Sequence, residues 1–190
     1  RPYFLKENNI QSFCKISSYV FFGLGFFYVV LVLYVDTIAT STLPIINTSL
    51  IDYKFWEGFI IVPIIALAYI FHGSFILQEA GPFLSNQVYK ISVCRGVGVT
   101  LNIILNLILI PYCEKPYLGA AIATLISYFS MSFILYLWNY KESKFRYDNI
   151  MLIVVAINIC VAWYCSTYDT IGFKILLPIL YLLQFKYYTQ

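Results

Sequence analysis

Few side chains in this sequence are equipped for chemistry, and those few sit within or beside long apolar runs. His72 and Glu79 share the run 59–79. They are seven residues apart, which on an α-helix puts them on roughly one face, about 10 Å apart along the axis. Gln78 lies beside them, Asp36 closes the run 19–36, and Arg95 precedes the run 96–112. An ionisable residue inside a membrane helix costs about 2.5–3.5 kcal/mol on insertion scales, so each of these is a candidate for function. Plainer roles stay open: hydration at the interface for Glu79 and Asp36, hydrogen-bonded packing for His72, and a topology anchor for Arg95. Asn102 and Asn106 are four apart and share one helical face. Unpaired amides are costly in lipid, so that face should look onto another helix, as interhelical glue, or onto a wet cavity.

Signatures of soluble enzymes are absent. One histidine allows neither a two-His metal site nor an H-E-x-x-H helix, so no catalytic residue, cofactor or metal is assigned. Arg95-Gly96-Val97-Gly98 lacks the preceding strand and the third glycine of a phosphate loop, and its glycines suit close helix approach instead. The five cysteines have no CxxC spacing and read as free thiols, mostly buried. Asn47-Thr48-Ser49 fits the N-glycosylation pattern in an outward loop. No basic stripe is interleaved with surface aromatics, which excludes nucleic acid as a partner. The net charge of +3 reflects topology signals with some attraction for anionic lipid.

The elements that must position these residues follow from composition. The chain is 61% hydrophobic and only 11% charged, against about 25% charged in a soluble domain. Its apolar residues form six runs, at 19–36, 59–79, 96–112, 118–138, 150–165 and 171–187. A helix of about 20 residues crosses a hydrocarbon core of roughly 30 Å. Backbone amides in lipid must be satisfied internally, so the runs should be helices, and none alternates as a barrel strand does. The expected fold is all-α, a single six-helix transmembrane bundle over residues 1–190.

With both termini cytoplasmic, nine of the twelve basic residues lie inside, and only Lys54, Lys115 and Lys174 lie outside. Tyr34, Trp56, Tyr89, Tyr112, Trp138, Tyr147, Trp163, Tyr168 and Tyr187 read as interface anchors. The connectors are short: an outward loop near 41–58 and a cytoplasmic one from Asn139 to Asp148. The chain starts with Arg1 and has no signal-peptide pattern, which reads as a piece of a longer protein.

The stretch Leu101 to Tyr128, LNIILNLILIPYCEKPYLGAAIATLISY, is the most informative. Pro111 should end one helix at the outer interface. Gly119, Ala120, Ala121 and Ala123 open the next with a small-residue face for close packing. An asparagine-bearing helix ending in LIP, a short loop, then GAAIATLISY resembles the hairpin of Wzx-type polysaccharide flippases. These belong to the multidrug/oligosaccharidyl-lipid/polysaccharide superfamily, which is MATE-like. Arg1-Pro2 followed by Lys6 is similar to the linker before that family's second lobe. The loop Cys113-Glu114-Lys115-Pro116 departs from the family's usual glycine.

The resemblance implies a great deal. The chain would be the second six-helix lobe of a two-lobe transporter in the bacterial inner membrane, with substrate between the lobes. Runs 19–36 and 59–79 would face that cavity, bringing Asp36, His72, Gln78 and Glu79 to it. Arg95 would meet a substrate pyrophosphate at the cytoplasmic mouth. The implied activity is transport without covalent chemistry, and the implied substrate is an undecaprenyl-diphosphate-linked oligosaccharide, an O-antigen or capsule repeat unit. Expected partners are that substrate, membrane lipid, a missing N-terminal lobe and other polysaccharide assembly proteins. A cation-coupled drug exporter of the same superfamily, or a membrane-embedded glycan polymerase or acyltransferase, stays open.

Overall fold

The computed structural model describes residues 10–43, 48–142, 147–167 and 171–189. With no water in a bilayer core, an apolar run closes its backbone hydrogen bonds within itself. Six long helices do so among the described residues: α1 (Ile10–Thr40), α2 (Val62–Gln78), α4 (Tyr89–Tyr112), α5 (Pro116–Glu142), α6 (Asn149–Thr167) and α7 (Ile171–Thr189). A short helix α3 (Ala80–Leu84) follows α2, and a 3₁₀ helix (Tyr53–Ile61) leads into it. The β-structure is a two-residue antiparallel tie, Thr42 to Ser49 and Leu43 to Thr48.

Among the described residues five segments are long and apolar enough to cross a membrane: Gln11–Thr40, Tyr53–Leu84, Tyr89–Tyr112, Pro116–Glu142 and Asn149–Thr167. The sixth helix, α7, is not among them, because Lys174, Gln184 and Lys186 dilute its apolar character. The helices run beyond the apolar runs at most ends. Pro111 does not stop α4, which continues to Tyr112 with the proline in its last turn. Asn139–Glu142, expected in a connector, are the last residues of α5. Asp148 starts α6 by accepting from the backbone amides of Ile150 at 2.9 Å and Met151 at 3.4 Å, an N-cap.

Packing order differs from chain order. α5 lies between α4 and α2, and α1 packs on α2, α6 and α7. Two apolar clusters result. The larger gathers Phe22, Val29, Met151, Val155 and Tyr181 from α1, α6 and α7. The smaller joins Phe75, Ile91, Cys94, Met131 and Leu135 from α2, α4 and α5. α4 packs chiefly on α5 and leaves Val99, Ile103, Ile104, Leu107 and Ile108 exposed, a surface suited to hydrocarbon. All five cysteines are free, but only Cys94 and Cys165 are buried, so the thiols are less enclosed than expected. Arg1, Lys6, Asn47, Lys144, Arg146 and Tyr168 lie outside the described residues.

Candidate functional site

Helix α2 carries two chemically different faces, because each residue turns the helix by about 100°. One face bears Tyr69, His72 and Glu79. Glu79 is 12% exposed by its side chain and accepts from Arg95 Nη2 at 2.5 Å, across the turn from α2 to α4. The Arg95 side chain is 59% exposed, and its guanidinium lies 5.8 Å from the centre of the Phe75 ring. One end of the pair is thus held by a carboxylate and a ring, while the remaining donors of the guanidinium stay open. His72 packs against the Tyr128 ring at 4.7 Å between centroids and edge-on to Tyr69 at 6.2 Å. Glu79 and Arg95 both lie within electrostatic reach of it.

The other face of α2 is buried. Gln78 does not join His72 and Glu79; it turns away from them and is 1% exposed. Its Nε2 donates to Ser74 Oγ at 2.9 Å and to Ser132 Oγ of α5 at 3.1 Å. Asn139 Nδ2 donates to the Gln78 carbonyl at 2.8 Å. Tyr147 shares a 2.9 Å hydrogen bond with Ser74 Oγ and donates to the Ser74 carbonyl at 3.1 Å. Burial pushes the Tyr147 phenol above its usual range, so it stays protonated and keeps this donor. Tyr147 is therefore a buried member of a polar network rather than an interface anchor, and Asn139 is buried with it.

Asp36 joins neither group. It is exposed near the far end of α1, where Thr40 Oγ1 donates to its carbonyl at 2.7 Å. The groove between α1 and α2, of about 400 Å³, is lined by apolar side chains such as Leu24, Phe27 and Ile65. Asn102 and Asn106 meet each other, with Asn106 Nδ2 donating to Asn102 Oδ1 at 3.0 Å, while Asn106 Oδ1 is buried without a partner. Gly119 sits directly on α4: a Cβ there would lie 2.8 Å from the Leu109 carbonyl oxygen. Ala121 and Ala123 are buried and Ala120 half-buried; Pro111 is exposed.

Sequence reasoning also missed a buried cation. Lys90, read as a topology signal, is 7% exposed by its side chain, pairs with Glu142, and lies 5.5 Å from the centre of the Trp138 ring. The pair closes the α4–α5 hairpin at the end away from Gly119. Of the buried network, only Ser74 and Gln78 left a local trace, a polar pair four apart in an apolar run. Among the described residues no group of three His, Cys, Asp or Glu could hold a metal.

The fold and these sites define an all-α, multi-pass membrane protein. Comparison with protein-family models, with curated proteins and with solved structures returned no match for this chain.

Proposed function

We propose that this chain is one lobe of a flippase that moves an undecaprenyl-diphosphate-linked oligosaccharide across the bacterial inner membrane by alternating access. The observation that carries the reading is Arg95: a guanidinium in α4, 59% exposed, restrained by the carboxylate of Glu79 at the end of α2. A planar guanidinium matches the oxygens of a phosphate, and its open donors are the ones such a group would take. Glu79 keeps the cation paired when no phosphate is present, so neither charge stands alone in a medium of low dielectric. The sugars and phosphates of such a substrate cannot cross hydrocarbon without partners, since each desolvated polar group costs several kcal/mol. A polar path removes that barrier, and no covalent bond has to form or break.

The test uses the full-length protein expressed in a strain deleted for its gene. Arg95→Ala should lower surface polysaccharide by about tenfold or more, the worth of one charge-assisted hydrogen bond, at normal membrane abundance. Lipid-linked repeat units should accumulate on the cytoplasmic side. His72→Ala and Glu79→Gln should reduce export in the same assay. Wild-type surface polysaccharide in all three variants would overturn the assignment.

A further inference from the structure

Three aromatic side chains with polar tips meet on the face of α2 that leads to Glu79. His72 and Tyr128 of α5 lie close to parallel, 4.7 Å between centroids and 30° between planes. Tyr69 stands across both, 6.2 Å from His72 at 88° and 6.0 Å from Tyr128 at 68°. A ring equally far from two stacked rings sits beside the stack, not on top of it. Tyr69 is thus braced from one side and is 58% exposed on the rest. Among the described residues none of the three polar tips has a hydrogen-bond partner, and those of His72 and Tyr128 stay accessible.

The cluster lies deep. Tyr69 falls sixteen residues after Tyr53 and fifteen before Leu84 in one membrane-crossing segment. Tyr128 falls twelve after Pro116 and fourteen before Glu142 in another. Both are near the middle of a bilayer, a depth that lipid headgroups do not reach. A hydroxyl without a partner in hydrocarbon costs several kcal/mol, so three open tips at one place mark a surface made for a polar occupant.

The side chains narrow what that occupant is. Water would satisfy the tips but leave the open part of the Tyr69 ring against water, a cost that an apolar cover removes. A planar aromatic ligand would cover the ring but leave the tips unmet. Glu79, the carboxylate of this face, is already held by Arg95, so a bare cation finds no counter-charge here. A pyranose meets both demands: its C–H face covers a ring, and the hydroxyls around its edge donate and accept. A phenol also donates and accepts, and a neutral imidazole does one at each nitrogen. Tyr69 is ten positions before Glu79, about 15 Å along α2, which is a few sugar rings from the Arg95 guanidinium.

We propose that Tyr69, braced by His72 and Tyr128, is a subsite for a sugar of the oligosaccharide a few rings beyond its pyrophosphate. The proposal rests on the flippase reading, in which Arg95 takes the pyrophosphate. The two contact points together measure the glycan, so the lobe favours a lipid carrying several sugars over one carrying a single sugar.

The test measures equilibrium binding to the full-length protein in phosphatidylcholine nanodiscs. The probes are two radiolabelled farnesyl diphosphates, one bearing a single N-acetylglucosamine and the other a β-linked trisaccharide of that sugar. The wild type should bind the trisaccharide probe about tenfold tighter, the worth of one ring contact and one hydrogen bond. Tyr69→Leu should remove that advantage and leave binding of the monosaccharide probe unchanged. Tyr69→Phe keeps the ring and should lose less of it. Arg95→Ala should weaken both probes alike and preserve their ratio. Should Tyr69→Leu bind neither probe, Tyr69→Met, apolar and more adaptable in packing, decides by the same ratio. Equal binding of the two probes by the wild type, or an undiminished ratio once the ring is removed, would overturn the subsite. Binding of both probes that is indifferent to Arg95→Ala would overturn the flippase reading instead.

Discussion

The contact between Gly119 and α4 allows a prediction of sign and size. A Cβ at Gly119 would stand 2.8 Å from the Leu109 oxygen, 2.9 Å from the Leu109 carbonyl carbon and 3.1 Å from the Ile110 nitrogen. Carbon atoms in good contact sit about 3.5–4.0 Å apart, so Gly119→Ala drives α5 and α4 apart by roughly 0.6 Å or more. All three neighbours are backbone, and no side chain can swing aside to absorb the push. Overpacking of this kind costs about 1–3 kcal/mol. Exchange of glycine for alanine in a helix returns about 0.8–1.0 kcal/mol. The net loss is on the order of 1 kcal/mol, which lowers Tm by about 2–4 °C for a chain of this size. Gly96, in α4, is the control, since nothing lies within 4 Å of its Cβ position. Gly96→Ala should keep or raise Tm by a similar amount through helix propensity alone. The assay is thermal unfolding in mild detergent, read as the monodisperse fraction surviving on size exclusion. If Gly119→Ala rises with Gly96→Ala, the two helices do not touch there and the reasoning fails.

Topology and the Lys90 pair yield two more expectations. Single cysteines at Tyr53 and Pro116, on a cysteine-free background, should react with an impermeant thiol reagent applied to intact cells, and one at Lys141 should not; reaction at 141 from outside would refute cytoplasmic termini. Glu142→Ala leaves the buried Lys90 ammonium without its carboxylate and should cost about 1–3 kcal/mol, less than for a fully buried pair because Glu142 is 42% exposed. Lys90→Met removes the buried charge itself and should be milder, so a lower Tm for Lys90→Met than for Glu142→Ala would contradict the pairing.

Much of the scaffold was legible before folding. Helices over the apolar runs follow from a local rule: in hydrocarbon, a backbone amide must find its partner within its own segment. The shared face of Asn102 and Asn106 follows from their spacing of four, but their bond to each other was not legible, since the sequence pointed that face at another helix or a wet cavity; the need for a small residue at 119 was visible in the Gly-Ala-Ala stretch. The reach of α5 to Glu142 was not, because its last turn is polar and resembles a connector until Asn139 is seen bonded to the Gln78 carbonyl and Glu142 paired with Lys90.

What periodicity cannot supply is the rotation of each helix against its neighbours. Gln78 and Glu79 are adjacent in sequence, yet about 100° of helical turn sends one to Ser132 and the other to Arg95. Lys90 and Glu142 are brought together by the antiparallel return of α5 along α4, 52 positions apart. Tyr147 reaches Ser74 only because α6 begins beside the end of α2. The sequence alone determined where the chain is helical and which residues are costly to bury, since both depend on near neighbours. Which of those residues meet was decided by tertiary packing, since burial in a low dielectric makes each polar group take whatever partner the helix order brings within about 3 Å.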